Sequence, residues 1–154
     1  MISTADLYDE RGEELDSVAL QFLDLGGRES FSGPIRTIVC HRDNGLVKQI
    51  LNSPGEGAVL VVDGGGSLES ALMGDLIAAA AVENRWAGVV ILGAVRDRTA
   101  LRTLDLGVKA LGSNPRKSSK DGTGEVDVPV TIGEVRLVPG RMLWADADGI
   151  LVER

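Results

Sequence analysis

The stretch AVLVVDGGGSLESALMGDLIAAAAVENRWAGVVILGAVRD, residues 58–97, decides the fold of this chain. It opens with an apolar run at 58–62 and contains a second one at 88–92, and both have the composition of strands buried on two faces. Between the runs lie a glycine-rich turn at 63–67 and a helical pattern that continues to about Arg85. A strand, a helix and a second strand in this order predict a parallel pair joined by a crossover helix.

The sequence before and after this unit extends the alternation of strands and helices. Residues 35–41 and 108–111 have the apolar character of further strands, and a short helix is expected at 100–106. Asp43-Asn44-Gly45 offers a cap for another helix, and Ser3 or Thr4 can cap a short acidic helix at the N-terminus. The whole pattern predicts an α/β fold with a mainly parallel central sheet.

The C-terminal third has a different period. Residues 113–125 are polar and rich in Lys and Ser, which favours a solvated, mobile loop. From Val126 onward apolar residues alternate with polar ones, with turns expected at 133–134 and 146–148. We therefore expect a β-rich, antiparallel C-terminal third. Because no linker or internal repeat interrupts the chain, residues 1–154 are interpreted as a single domain.

Composition excludes several classes of protein. The chain carries a formal charge of −7, and a protein this acidic repels the phosphates of nucleic acid. The longest nearly uncharged stretches, 76–82 and 86–95, are shorter than the roughly 20 residues that cross a bilayer. A single cysteine excludes a disulfide framework, and the first residues lack the features of a signal peptide. These features predict a cytoplasmic protein that binds neither nucleic acid nor membrane directly.

The strongest candidate for chemistry is a pair of dipeptides. Gly74-Asp75 and Arg96-Asp97 are separated by twenty residues, and the second dipeptide follows a buried strand. The carboxyl ends of such strands are where open α/β sheets bind ligands. On an unbroken helix from Leu68, Asp75 would fall on the apolar stripe, so either Gly74 interrupts the helix or Asp75 has a cationic or metal partner. A helix cap at Asp75 and a loop salt bridge between Arg96 and Asp97 remain an alternative.

Other polar features favour structural roles. The triple glycine lacks the third glycine of a dinucleotide fingerprint and is typical of a tight turn. We interpret His41 as a polar strand end and Cys40 as a buried apolar residue. Asp146 and Asp148 favour a hairpin turn over a calcium loop. Lys109 is interpreted as a solvated strand-edge residue rather than a Schiff-base nucleophile.

Motifs along nearly the whole chain carry a resemblance to a known family. They are Leu25-Gly26-Gly27-Arg28, Phe31-Ser32-Gly33, Arg42-Asp43-Asn44-Gly45-Leu46, Val61-Val62-Asp63-Gly64-Gly65-Gly66-Ser67, Trp86-Ala87-Gly88-Val89-Val90, Gly124-Glu125-Val126-Asp127-Val128-Pro129-Val130 and Pro139-Gly140. The sequence resembles the RraA-like family. That resemblance implies a β/β/α swivelling-type domain assembled as a ring-shaped homotrimer.

The resemblance implies three possible functions. Some members are metal-dependent aldolases that cleave 4-hydroxy-4-methyl-2-oxoglutarate and also decarboxylate oxaloacetate, and others regulate ribonuclease E by binding it. An older label is menaquinone methyltransferase. Two features argue against that activity: the sequence has no convincing S-adenosylmethionine loop, and only 3 % of its residues are aromatic. We expect the aldolase and decarboxylase activity with a small 2-keto acid as substrate. Binding of ribonuclease E is the alternative.

The resemblance also assigns roles to the paired dipeptides. Asp97 would ligate a Mg²⁺ or Mn²⁺ ion, Asp75 would hold the waters of that ion, and Arg96 would pair with the carboxylate and keto oxygen of the substrate. Backbone N–H groups from Gly74, Asp75, Leu76 and Ile77 would receive the same carboxylate. Arg96 and Asp75 are the expected catalytic residues. Cleavage next to a 2-keto group leaves a pyruvate enolate, whose oxygen Arg96 and the metal ion would stabilise, while Asp75 would hold the waters of that ion.

The sequence departs from the resemblance at two places. Ala100 stands where relatives often carry another acidic residue, three positions after the metal aspartate. The sequence also ends at Arg154, and we expect no counterpart of the C-terminal segment with which longer aldolases complete the site of a neighbouring subunit. Substrate specificity is the property that these departures affect.

Overall fold

The computed structural model describes all of residues 1–154. The helices are α1 (Thr4–Arg11), α2 (Gly45–Leu51), α3 (Asp75–Glu83) and α4 (Arg98–Leu101), and a 3₁₀ turn follows α1 at Gly12–Glu14. The strands are β1 (Leu15–Val18), β2 (Leu23–Asp24), β3 (Phe31–Val39), β4 (Val59–Asp63), β5 (Gly88–Val95), β6 (Gly107–Ser113), β7 (Glu125–Val126), β8 (Val130–Ile132), β9 (Val135–Leu137), β10 (Met142–Asp146) and β11 (Gly149–Glu153). None of the helices is long and apolar enough to cross a membrane.

A nine-stranded sheet organises the chain. Its main order is β1-β11-β10-β3-β4-β5-β6-β2, with β7 also paired to β3, while β8 and β9 form a separate hairpin. The central strands β3, β4, β5 and β6 are parallel to one another, and the remaining pairings are antiparallel. Strand β3 connects the two parts, because residues 31–34 pair with β10 and residues 35–39 pair with β4. The α/β fold with a parallel centre and a β-rich C-terminal third is confirmed.

The two faces of the parallel strands pack against different layers. In β4, Leu60 and Val62 contact the core that contains α2, α3 and α4, whereas Val59 and Val61 belong to the core shared with the C-terminal strands. All four side chains are fully buried, which explains why this strand is an uninterrupted apolar run. The result is the expected β/β/α arrangement of helices, parallel sheet and C-terminal strands.

Helix α3 begins later than the sequence pattern predicts. Residues 71–73 are extended: the N–H of Leu72 donates to the carbonyl of Ala94 at 2.8 Å, and the N–H of Ala71 donates to the carbonyl of Arg116 at 2.8 Å. These bonds satisfy the backbone outside a helix, so the helix starts only at Asp75. Leu76, expected on the apolar stripe, is 82 % exposed.

Several smaller expectations can also be compared with the structure. Helix α4 covers 98–101 rather than 100–106, and β1 and β2 are strands that the sequence did not predict. Lys109 is not solvated: it is 3 % exposed, and its Nζ lies 2.8 Å from Asp24 Oδ1. The turn at Asp146 is confirmed, because its carboxylate accepts hydrogen bonds from the N–H and hydroxyl of Thr4 and from the N–H of Asp148.

The ring of Phe31 occupies the space that two glycines leave between layers. A Cβ atom on Gly88 would lie 2.3 Å from the ring, and one on Gly107 would lie 2.0 Å from it. Neither glycine has a positive φ angle, so both are needed for room rather than for backbone conformation. The aromatic ring therefore packs directly on the backbones of β5 and β6 at these two positions.

The Gly107→Ala substitution is predicted to destabilise the fold by about 1–3 kcal/mol through overpacking against Phe31. Gly112→Ala, on the same strand, is the matched control, because its Cβ would meet only the Leu68 side chain at 3.4 Å. Urea unfolding of both variants measures the difference. Equal stability of the two would show that the Phe31 contact does not limit packing.

Candidate functional site

A cavity of about 120 Å³ lies at the carboxyl end of β5. Its walls come from the first turns of α2 and α3, from the end of β5 and from the loop after β6. The cavity is lined by both dipeptides and by the two residues after Asp75. These residues are Gly74, Asp75, Leu76, Ile77, Arg96 and Asp97. The residues that the sequence singled out for chemistry are therefore brought together in one concave site.

Arg96 and Asp97 follow the end of β5 and line this cavity. The pairing of β5 with β6 shifts register between Ile91 and Ala94, an irregularity that redirects the last residues of the strand. The N–H of Arg96 donates to the carbonyl of Met73 at 3.0 Å, and this bond ties the two dipeptides together. Asp97 has a left-handed backbone with φ 63°, which is uncommon for a residue with a side chain and is often found at functional sites.

Gly74 allows the carboxylate of Asp97 to reach the start of α3. The N–H of Asp75 donates to Asp97 Oδ2 at 3.1 Å. A Cβ on Gly74 would lie 2.6 Å from the same oxygen and 3.2 Å from Arg96 Cγ. Because the φ of Gly74 is −125°, this position requires a glycine for room, not for an unusual backbone. No helix runs from Leu68 through Asp75: α3 starts at Asp75 with Gly74 as its cap, so Asp75 does not fall on an apolar stripe.

The alternative roles of the charged side chains can now be judged. Asp75 is the first residue of α3, so it is not the helix cap, and its carboxylate makes no hydrogen bond or ion pair within the chain. Arg96 Nε and Asp97 Oδ2 are 4.0 Å apart, at the limit of an ion pair, and both side chains are about two-fifths exposed. One Arg96 nitrogen also donates to the carbonyl of Pro115 at 3.4 Å. The pair is loose and open to a ligand.

The cavity offers few ligands for a metal ion, and those are hard oxygens. No group of three His, Cys, Asp or Glu side chains lies close enough to hold an ion. Asp97 keeps one oxygen without a protein partner, and Asp75 lines the same cavity with its carboxylate free. Mg²⁺ typically binds one or two carboxylates and keeps several waters, so this donor set fits a hydrated Mg²⁺ or Mn²⁺ ion and does not fit a zinc-type site.

Three lysines and Asn44 complete the polar lining, and the sequence did not indicate them. Lys48 comes from α2, and Lys117 and Lys120 come from the loop after β6. None has a carboxylate partner within 4.0 Å, so these positive charges are uncompensated. The available signal was the position of the lysine-rich loop directly after a parallel strand, where it reaches the same edge of the sheet as Arg96.

Asp43 holds that loop in place. Its carboxylate accepts hydrogen bonds from the N–H groups of Gly45, Asp121, Gly122 and Thr123 at 2.9–3.4 Å. Burial alone would raise the pKa of Asp43, but these four bonds favour the charged form, and its pKa is lowered below the ordinary 3.8. The loop is largely exposed, as expected, but one carboxylate ties this part of it to the start of α2.

Asn44, next to Asp43, is the one buried side chain with an orphan polar atom. It is 7 % exposed and lines the cavity, and its Oδ1 has no hydrogen-bond partner. A buried acceptor without a donor costs about 1–3 kcal/mol. Such a cost is commonly retained where a site binds a ligand or water.

Three other candidates lie apart from the cavity. His41 is exposed in a separate polar cleft. Burial, and to a lesser extent the charges of Asp43 and Asp63, raises the pKa of the Cys40 thiol to about 12, so this thiol is unreactive. In the triple glycine, the N–H groups of Gly64 and Gly66 donate to Leu92 and that of Gly65 donates to Asp63. Gly65 and Gly66 have positive φ angles, so the segment is the expected tight turn, and the N–H groups of its three glycines are all used within the chain.

Comparisons with known proteins agree on a family. The RraA-like family, described as Aldolase/RraA, matches residues 4–152. The RNA-processing inhibitor RraA from Thermus thermophilis is similar with 46 % identity and a TM-score of 0.96, over 99 % of this chain and 93 % of that one. A Geobacillus kaustophilus structure named as S-adenosylmethionine: 2-dimethylmenaquinone methyltransferase shares 45 % identity with a TM-score of 0.95, over 99 % and 94 %.

A more distant relative is similar over the same length. Streptomyces coelicolor RraAS2, described as an unusual member of the RNase ES inhibitor RraA protein family, shares 27 % identity with a TM-score of 0.78. The match covers 99 % of this chain and 81 % of RraAS2.

The Asp43→Asn substitution is predicted to destabilise the protein by about 1–3 kcal/mol at pH 7, because a neutral amide accepts the four N–H groups less well. Since the folded pKa of Asp43 is lowered, its stabilising contribution is full above the unfolded value near 3.8 and is lost as the pH falls through the folded value. The stability difference between wild type and variant should therefore shrink below about pH 4.

Urea unfolding at several pH values measures this effect. Asp121→Asn is the matched control, because the Asp121 side chain lies in the same loop and makes none of these bonds. A difference that stays constant from pH 7 to pH 3 would contradict the role of the Asp43 charge.

Proposed function

This chain belongs to the RraA-like family, and we propose from that premise that it is a divalent-metal-dependent lyase that releases pyruvate. Its proposed substrates are 2-oxo acids of the 4-hydroxy-4-methyl-2-oxoglutarate type, with oxaloacetate decarboxylation at the same site. The observation that supports this proposal most is the contact of Gly74-Asp75 with Arg96-Asp97 at the mouth of one cavity. In the RraA-like aldolases that this sequence resembles, the same spacing carries the pyruvate site.

The start of α3 and Arg96 form the proposed pyruvate subsite. The N–H groups of Leu76 and Ile77 lie in the first turn of a nine-residue helix, where no intrahelical acceptor exists. They can receive the substrate carboxylate, which the positive end of the helix also attracts. The planar guanidinium of Arg96 can pair with the carboxylate and with the neighbouring keto oxygen.

Asp97, with Asp75 beside it, is the proposed holder of the metal ion. A divalent cation bound there supplies a Lewis acid for the keto oxygen of the substrate. The free oxygen of Asp97 and its exposure to solvent are compatible with a hydrated ion. Gly74 keeps the approach to this carboxylate open, because any side chain at that position would collide with it.

The proposed reaction breaks the C3–C4 bond of the substrate. In the aldol substrate, the C4 hydroxyl loses its proton to a water held by Asp75, and the bonding electrons move to the C2 oxygen. In oxaloacetate the C4 carboxylate leaves as CO₂, and the electrons move to the same oxygen. Arg96 stabilises the resulting enolate in both cases, and protonation at C3 then gives pyruvate.

A second candidate function is regulation of ribonuclease E by direct binding. The names of the Thermus and Streptomyces relatives describe inhibitors of RNA processing and of RNase ES. The formal charge of −7 would favour docking to basic segments of such an enzyme. We also propose that the chain forms a homotrimer, as the family resemblance implies. A methyltransferase role is not proposed, because the glycine turn has no free N–H groups.

Asp97→Asn is predicted to lower metal-dependent decarboxylation of oxaloacetate by about 100-fold or more, since it removes the charge of the proposed metal ligand. Asparagine tolerates the left-handed backbone at this position, so the variant should remain folded. The measurement is pyruvate release with Mg²⁺ and with EDTA, corrected for the reaction of Mg²⁺ alone. Asp105→Asn, an exposed carboxylate paired with Arg28 away from the cavity, is the control.

If Asp97→Asn and Asp105→Asn retain equal metal-dependent activity, the assignment of Asp97 is wrong. If the wild type shows no turnover above Mg²⁺ alone, the lyase proposal fails.

Binding to ribonuclease E is tested separately by pull-down at micromolar protein and at low and moderate salt. The alternative function predicts a complex that weakens with salt and that Asp97→Asn still forms. No complex at low salt would remove this candidate.

A further inference from the structure

The side-chain amide of Asn44 has no structural task in this chain. Asn44 is the N-cap residue of α2, a position where an asparagine normally accepts an N–H of the first helical turn. Its side chain makes no such bond, and the neighbouring Asp43 Oδ1 accepts the N–H of Gly45 at 2.9 Å instead. The stability of α2 therefore does not explain this amide.

The backbone of Asn44 is fixed on both sides. Its N–H donates to the carbonyl of Ser119 at 2.8 Å, and its carbonyl accepts the N–H of Lys48 at 3.0 Å. The side chain lines the cavity, is only 7 % exposed, and its Oδ1 has no donor. A buried acceptor on a rigid backbone is the kind of group that an ordered water satisfies.

A second acceptor without a partner belongs to the same cavity. The carboxylate of Asp75 lines it and makes no hydrogen bond or ion pair within the chain. The cavity volume of about 120 Å³ corresponds to only about four waters, at roughly 30 Å³ each in the liquid. The walls that carry Asn44 and Asp75 are thus only a few water diameters apart.

We propose that Asn44 Oδ1 and the Asp75 carboxylate each accept one hydrogen of the same water, and that this water takes the proton of the substrate C4 hydroxyl. The inference rests on the proposed function, to which it adds Asn44 as a positioning residue. A water that donates both its hydrogens to protein acceptors has only lone pairs left for the substrate. It is therefore held as a proton acceptor.

The orientation of this water matters for one of the two proposed reactions. In aldol cleavage the O–H bond at C4 breaks, its proton goes to the water, and its electron pair forms the new C4=O bond. The water passes one of its own hydrogens to Asp75, and the C3–C4 pair moves into the enolate. Oxaloacetate has no C4 hydroxyl, and its carboxylate leaves as CO₂ without loss of a proton. Asn44 should therefore serve aldol cleavage and not decarboxylation.

A high-resolution crystal structure of the wild-type protein tests the placement without any turnover. We expect one water within about 3 Å of both Asn44 Oδ1 and a carboxylate oxygen of Asp75. The same water should be lost or displaced in Asn44→Leu, which has nearly the same size and no acceptor. A protein donor on Asn44 Oδ1, or no water shared by the two side chains, would overturn the proposal.

Steady-state kinetics with Mg²⁺ tests the role. Asn44→Leu should lower kcat for cleavage of 4-hydroxy-4-methyl-2-oxoglutarate by about 100-fold, with KM and the oxaloacetate kcat nearly unchanged. Asn44→Asp, which keeps an oxygen acceptor in the same place, should recover most of that loss. Asn52→Leu is the matched control, because Asn52 is exposed at the other end of α2 and bonds only to the carbonyl of Lys48.

The kinetic outcomes separate this inference from the proposed function. Equal losses of both reactions in Asn44→Leu, an unchanged aldol rate, or an equal effect of Asn52→Leu would overturn the role of Asn44 and leave the lyase intact. So would a wild type that decarboxylates oxaloacetate but does not cleave the aldol. A wild type that catalyses neither reaction would overturn both proposals.

Discussion

The hydrogen bond from the Asp75 N–H to Asp97 Oδ2 is the contact on which the site depends. It forms because residues 71–73 are extended along the end of β5, so that α3 starts at Asp75, beside Asp97. It also requires a glycine at position 74, since a Cβ there would occupy the space of the carboxylate. The start of α3, the end of β5 and the Asp97 carboxylate are thus fixed together, and the first residues of α3 line the same cavity as Arg96.

The fold was predictable where burial dictates the sequence. The run at 58–62 indicated a strand buried on both faces because both sides of β4 are covered, by helices on one and by C-terminal strands on the other. The start of α3 was not predictable, because Leu68, Leu72 and Leu76 have helical spacing while the backbone of 71–73 pairs with residues distant in the chain. Lys109 was misjudged for a similar reason: its partner, Asp24, is 85 residues away on an unpredicted edge strand.

The residues of the candidate site also differ in whether the sequence could indicate them. Gly74, Asp75, Arg96 and Asp97 could be found from spacing and from their place after a strand, since those features are local. Asn44, Lys48 and Lys117 were missed, because the cavity forms between the start of α2 and a loop that the bonds of Asp43 hold there from about 80 residues away. The result is a cavity lined by three lysines and one arginine in a chain of charge −7.

The central claim is that this cavity stabilises a pyruvate enolate. The most direct measurement is proton NMR of pyruvate in D₂O with the purified protein and Mg²⁺, because enolate formation exchanges the methyl protons for deuterium. The account predicts loss of the methyl signal that depends on both protein and Mg²⁺ and stops on addition of EDTA. Exchange no faster than with Mg²⁺ alone would contradict it.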